Sequence, residues 1–168
     1  MSVVFRYFLG ALLLQFASLS NAVAQVRGQT PLFDWRTFTV PEYGTEIEYP
    51  AAVFVSAGDP EKGVGKRFHS TDGRAILSIY SLANDTGDTP ASYIRKNLRV
   101  DRSTLDYERI TRSFFAVSAE QDGLIYYSRC NFSSRPDAAI HCFDLVYPQE
   151  QKRSWDSVVT RMSLSLRP

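Results

Sequence analysis

The chain has few of the residues that carry chemistry. It holds two cysteines and two histidines in 168 residues, with neither C-x-x-C nor H-x-x-x-H spacing, so no ordinary zinc site is spelled out. No G-x-x-x-x-G-K-[ST] loop is present to cradle phosphates, and no G-x-S-x-G elbow to expose a nucleophilic serine. Charge of one sign is also lacking. Nineteen basic residues face eighteen acidic ones, which argues against a nucleic-acid partner, since such binding rests on a surplus of Lys and Arg over phosphates. Long apolar runs are missing too: Phe8 to Leu19 falls short of the roughly 20 residues a membrane span needs.

That run does fit an export leader. Arg6 supplies a positive start, and Ala22-Val23-Ala24 is the small-x-small pattern of a signal-peptidase site, so residues 1–24 are expected to be removed and Gln25 to begin the mature chain. No cysteine adjoins the cut, so neither a lipid anchor nor a transmembrane anchor is expected in the mature form. The compartment is periplasmic or secreted, periplasmic if the source is Gram-negative. The remainder is of single-domain size, and 44% hydrophobic and 13% aromatic residues suit a packed core. Outside the cytosol the even pair Cys130 and Cys142 is expected as a disulfide.

Residues 25–36, with Gly28 and Pro31, read as a tether, and residues 37–168 as one globular domain. Thr37 to Val40, Thr45 to Tyr49 and Ala52 to Val55 are strand-like. Gly58 to Gly65 is a loop dense in turn formers. Lys66 to Ser70 and Arg74 to Leu82 flank Asp72-Gly73, the strongest hairpin signal in the chain. In the second of these, Leu77 and Ile79 face one way and Ile76, Ser78 and Tyr80 the other, so both faces of the sheet find cover.

Thr89-Pro90 opens a helix, threonine capping and proline taking the first helical position. Its wheel puts Ala91, Tyr93, Ile94, Leu98 and Val100 on one arc, broken by Asn97, with Arg95, Lys96, Arg99 and Arg102 on the arc beside it. Strand segments follow at Tyr107 to Ile110 and Ser113 to Ala119, read as one bent strand or two, then at Leu124 to Phe132 and Ala139 to Tyr147. After Pro148, Trp155, Val158, Val159 and Met162 give the apolar stripe of a closing helix.

A hairpin of the last two strands centred near Pro136 sets Cys130 directly opposite Cys142, at a separation a disulfide spans. The same register pairs Phe132 with Ile140, Tyr126 with Val146, and Ser128 with Asp144, a polar pair in the middle of one face.

Glu48-Tyr49-Pro50 before a short strand, Phe68-x-x-x-Asp72-Gly73 leading into another, the Thr89-Pro90 helix and the closing segment Trp155 to Leu166 together resemble the PsbP-like family, whose fold is shared with the Ran-binding Mog protein. The likeness spans Thr37 to Leu166, in segment order more than in any sharp motif. It implies an exported bacterial member with an α+β architecture: an antiparallel sheet of six to seven strands between helices, in the order β-β-β-β-α-β-β-β-α. It brings no catalytic signature and no cofactor, so no residue is assigned a catalytic, cofactor or metal role.

Candidate sites are then weighed on their residues. His141 next to Cys142 has the types of a base and a thiol nucleophile, but neighbours on a strand point to opposite faces. His69, His141 and Asp72 are too few and too scattered for a metal. The cations Arg95, Lys96, Arg99 and Arg102 form the surface feature with most specificity, a docking face for an acidic protein partner or an anionic membrane surface, although a solvated helix face looks the same. Tyr126, Tyr127, Tyr147, Phe143, Phe114 and Phe115 are too many for one face, so some are free to line a groove for a small ligand. The function expected is thus a non-catalytic binding or accessory module of the envelope. A small-ligand carrier is the alternative, and a hydrolase-like enzyme around His141 or Asp144 a weaker one.

Overall fold

Alternation of side chains along the strands dictates a sheet covered on both faces. The computed structural model describes residues 34–98, 100–133 and 139–168. The expected leader, most of the tether, Arg99 and the tip of the last hairpin lie outside the described residues.

Among the described residues nine strands form two sheets. β1 (Trp35–Val40) and β2 (Thr45–Pro50) make a two-stranded ribbon, turned at Pro41 to Gly44 as the turn residues require. β3 (Phe54–Gly58), β4 (Val64–Ser70), β5 (Ile76–Ala83), β6 (Leu105–Ile110), β7 (Phe114–Gln121), β8 (Leu124–Phe132) and β9 (Ala139–Pro148) form a seven-stranded antiparallel sheet in the order β3-β4-β5-β9-β8-β7-β6. Two helices, α1 (Pro90–Asn97) and α2 (Lys152–Ser165), complete the α+β architecture. Five strands precede α1 and four follow it, so the order expected from sequence lacks one strand on each side of the helix.

The split between β6 and β7 has a local cause. The Thr111 side chain accepts hydrogen bonds from the Ser113 and Phe114 amides, and its own amide bonds the Phe114 carbonyl. This hydroxyl-stapled turn reverses the chain. At the other boundary, Trp35 and Arg36 already pair with Pro50 and Tyr49; ladder bonds, not composition, place the start of the fold two residues before Thr37.

α2 and the ribbon cover one face of the main sheet. Trp155, Val158, Val159 and Met162 pack there with Ile47, Leu77, Ile79, Ile125, Phe143 and Leu145. α1 covers part of the other face, where Tyr93 and Ile94 meet Tyr80, Phe115, Ile140 and the Cys130–Cys142 disulfide. Both cysteines are fully buried and lie directly opposite one another, Cα atoms 4.1 Å apart. The other expected pairs, Phe132 with Ile140, Tyr126 with Val146 and Ser128 with Asp144, hold as well.

Glycine in the Gly58 to Gly65 loop serves close packing. Gly63 sits at φ +65° and Gly65 at φ +154°, and a Cβ on either would collide with a backbone carbonyl of β5, that of Ser81 or Ile79. Only glycine lets β4 enter its pairing with β5 along this path.

Candidate ligand-binding site

The site grows out of a polar row on the face that α1 only partly covers. Arg67, Ser78, Asp144 and Ser128 are in register across β4, β5, β9 and β8. Ser128 Oγ donates to Asp144 Oδ1 at 2.6 Å, and the Tyr80 hydroxyl donates to Oδ2 at 3.0 Å. Tyr80 stands on β5 one alternation beyond Ser78, which carries its ring under α1 and its hydroxyl back to the row.

Beside this cluster lies a cavity of about 130 Å³. Its walls are Tyr93, Ile94 and Leu98 of the α1 segment, Leu105 of β6, Phe115 and Val117 of β7, and Tyr126 and Val146 of the central strands. At the rim, Lys62 Nζ donates to Asn97 Oδ1 at 3.2 Å, tying the β3–β4 loop to the end of α1.

The end of α1 gives the cavity its mouth. Thr89 and Ser92 form a capping box with Pro90 at the first position, as the Thr89-Pro90 signal requires. The helix stops at Asn97, whose side-chain amide donates to the Tyr93 carbonyl; Leu98 is already extended. Asp101 then caps a separate 3-10 turn, Arg102–Thr104, by accepting from the Ser103 amide. The apolar residues expected on one long helix are thus divided, Tyr93 and Ile94 on α1 and Leu98 and Val100 on the segment that follows it, and these line the cavity.

This break also corrects the basic helix face. Arg95 and Lys96 are on the last turn of α1, whereas Arg102 lies beyond it on the 3-10 turn, and Arg99 falls outside the described residues. Lys96 Nζ bonds Asp88 Oδ1 at 2.6 Å, and Lys96, Ser92 and Thr86 together lower the Asp88 carboxyl to about 2. Arg102 pairs with Glu108 at 2.6 Å. Two of the four expected docking cations are thus held by carboxylates of their own chain.

The remaining sequence candidates divide between the faces. His141 and Cys142 point to opposite sides, as strand alternation demands. His141 Nδ1 bonds Thr45 Oγ1 at 2.6 Å, and Thr45 Oγ1 in turn bonds Ser81 Oγ, joining the ribbon to the sheet in a buried polar chain. Among the described residues His141 Nε2 has no hydrogen-bond partner, and burial lowers the ring's pKa from its ordinary value. His69 pairs with Ile76 on the opposite face from His141, so the two histidines do not converge.

Of the aromatics, Phe115, Tyr126 and Tyr127 line the cavity. Phe143 and Tyr147 belong to the core under α2, and the Tyr127 hydroxyl bonds Ser163 of that helix at 2.7 Å. Tyr80 and Tyr93, which the sequence pattern places on a strand face and a helix arc and not among the groove aromatics, line the cavity as well. Tyr80 meets Asp144 only because β9 returns beside β5, a non-local pairing that no short pattern announces.

A larger hollow of about 640 Å³ lies between β2 and α2. Four of its five charged groups pair with one another, Glu48 to Arg161 at 2.8 Å and Glu46 to Arg167 at 2.7 Å, and Asp156 is the fifth.

No family model matches the chain, and no curated protein does. Among solved structures it is similar to that of cyanobacterial PsbP (CyanoP) from Synechocystis sp. PCC 6803, with a TM-score of 0.60 and 12% identity over 83% of this chain and 95% of that one. Identity so low speaks for architecture alone. With the seven-stranded antiparallel sheet and its two helices, it establishes that this chain has the PsbP-like fold.

Proposed function

We propose that the protein is an exported, non-catalytic binding module of the bacterial envelope that holds a small apolar or ring-containing ligand between α1 and the sheet. The observation that carries this reading is an apolar cavity with one concentrated polar group, Asp144 with Ser128 and Tyr80, at its side. Apolar walls supply affinity and a few placed polar atoms supply orientation. About 130 Å³ is close to the volume that takes a single six-membered ring, so the occupant is one ring or the end of a longer apolar group. Residues 1–24 and the buried disulfide support export into an oxidising compartment, the periplasm in a Gram-negative cell.

The enzyme reading has less beneath it. His141 and Asp144 project from opposite faces of β9 and share no reacting site.

Thermal unfolding against a panel of small aromatic and apolar metabolites tests the proposal. A ligand at 100 times its dissociation constant adds about 2.7 kcal/mol, and Val117→Phe, which fills the cavity, should abolish the shift. A panel that moves neither protein, or moves both equally, would overturn the reading.

A further inference from the structure

A second surface gathers positive charge that no carboxylate among the described residues neutralises. Arg129 on β8, Ala116 on β7 and Arg109 on β6 are in register across three strands. Ala116 is small and buried, which leaves the two arginines free to converge over Phe114, the next residue of β7 on that face. The guanidinium carbons lie 4.5 Å and 5.3 Å from the Phe114 ring centroid for Arg129 and Arg109.

Several other basic side chains find acids: Arg36 with Asp34, Arg74 with Glu150, Lys152 with Asp106, Arg102 with Glu108. Among the described residues neither Arg109 nor Arg129 has a carboxylate partner. The acids nearest in sequence, Asp106 and Glu108, are those already engaged by Lys152 and Arg102.

The pair is also held in place. Arg129 Nε donates to Asn131 Oδ1 at 3.3 Å, and Asn131 Nδ2 is tied to the Leu166 carbonyl at 2.8 Å. Burial, and more weakly the neighbouring Arg109, work against the Arg129 charge and lower its pKa, with the Tyr127 and Tyr107 phenols opposing. Two like charges converging on one ring are disfavoured unless an anion joins them, and guanidinium forks match carboxylates in pairs.

The position says what kind of anion. β6 is one of the two edge strands of the main sheet and pairs only with β7 among the described residues, so its outer row of backbone groups is open to strand addition by an extended segment. Tyr107, 46% exposed, stands one alternation from Arg109 on the same face. We propose that Arg109 and Arg129, set around Phe114, bind carboxylates of an acidic protein segment lying along β6. This is independent of the cavity under α1, which opens on the other face of the sheet.

The test uses the full mature chain at low salt and an octapeptide alternating Glu and Thr, with the Gln/Thr peptide and inorganic phosphate as comparisons. The acidic peptide is expected to bind at least about tenfold more tightly than the Gln peptide, and the paired variant R109Q/R129Q to lose about tenfold in affinity. The pair R95Q/R153Q, which changes net charge equally on the two helices, should stay within about twofold. If R109Q/R129Q does not fold, Phe114→Leu keeps both charges and should still weaken binding about threefold through lost orientation. Binding that is absent, equal for the Gln peptide, or lost equally in R95Q/R153Q overturns the proposal. So does displacement of the peptide by an equal concentration of phosphate, which would mark a site for small anions.

Discussion

Ser128 and Asp144 stand directly opposite on β8 and β9, joined by a 2.6 Å hydrogen bond in the middle of a face that is otherwise largely apolar. Ser128→Ala removes the donor and leaves the carboxylate short of a partner. A hydrogen bond to a charged group contributes about 1.5–3 kcal/mol when buried; this one is part-buried, so the loss is expected near 1–2 kcal/mol, a fall in Tm of about 2–8 °C. An unchanged Tm would mean that the pair does not hold the cavity's polar side.

The Cys130–Cys142 bond closes a loop of 12 residues between the central strands. In the chain-entropy picture such a closure contributes about 3 kcal/mol. Urea unfolding with and without reductant should show the reduced protein less stable by about that amount. Coincident transitions would show that the β8–β9 register stands without the crosslink.

His141 predicts how stability depends on pH. Burial lowers its folded pKa below the ordinary 6.5, so as pH falls the unfolded chain takes the proton first. The stability from keeping the ring neutral is therefore complete above that value and lost progressively below it. Urea midpoints should decline between about pH 7.5 and pH 5.5, and His141→Asn, though less stable overall, should flatten that decline. Asp88, lowered from 3.8 to about 2, acts in a separate window: its contribution is present above 3.8 and lost only as pH drops toward 2. A wild-type slope retained in His141→Asn would assign the effect to another group.

Two glycines with nearly the same backbone should respond differently to substitution. Gly44 (φ +69°) has open space where a Cβ would go, whereas at Gly63 (φ +65°) the Cβ would strike the Ser81 carbonyl oxygen. Gly44→Ala should cost about 1 kcal/mol, the left-handed penalty alone, and Gly63→Ala about 1–3 kcal/mol more as β4 is pushed off β5. Equal losses in chemical denaturation would remove close packing as the reason for glycine in this loop.

Much of the fold was legible because its signals are local. Thr89-Pro90 marks a cap, Trp155 to Met162 a stripe, and the spacing of Cys130 and Cys142 about Pro136 the register of a hairpin. What escaped depends on particular side-chain partners, near and far, that no pattern of residue types announces. α1 ends at Asn97, where Leu98 donates its amide to the Ile94 carbonyl and turns extended, and a helical wheel continues regardless of such a turn. The four expected docking cations look alike in sequence, but Lys96 and Arg102 are taken up by Asp88 and Glu108. Arg109 and Arg129 come together only through β6–β7–β8 pairing. Ser128 and Asp144 were visible as a pair, yet the cavity beside them needed β5, α1 and β7 to bring Tyr80, Tyr93 and Val117 alongside.

The most direct measurement is an NMR titration of the protein with the best-shifting ring compound, read through contacts between ligand protons and the side chains of Tyr93, Phe115 and Val117. Binding in the cavity predicts cross-peaks to all three and their loss in Val117→Phe. Saturable binding with ligand contacts elsewhere on the surface, and none to these residues, would contradict it.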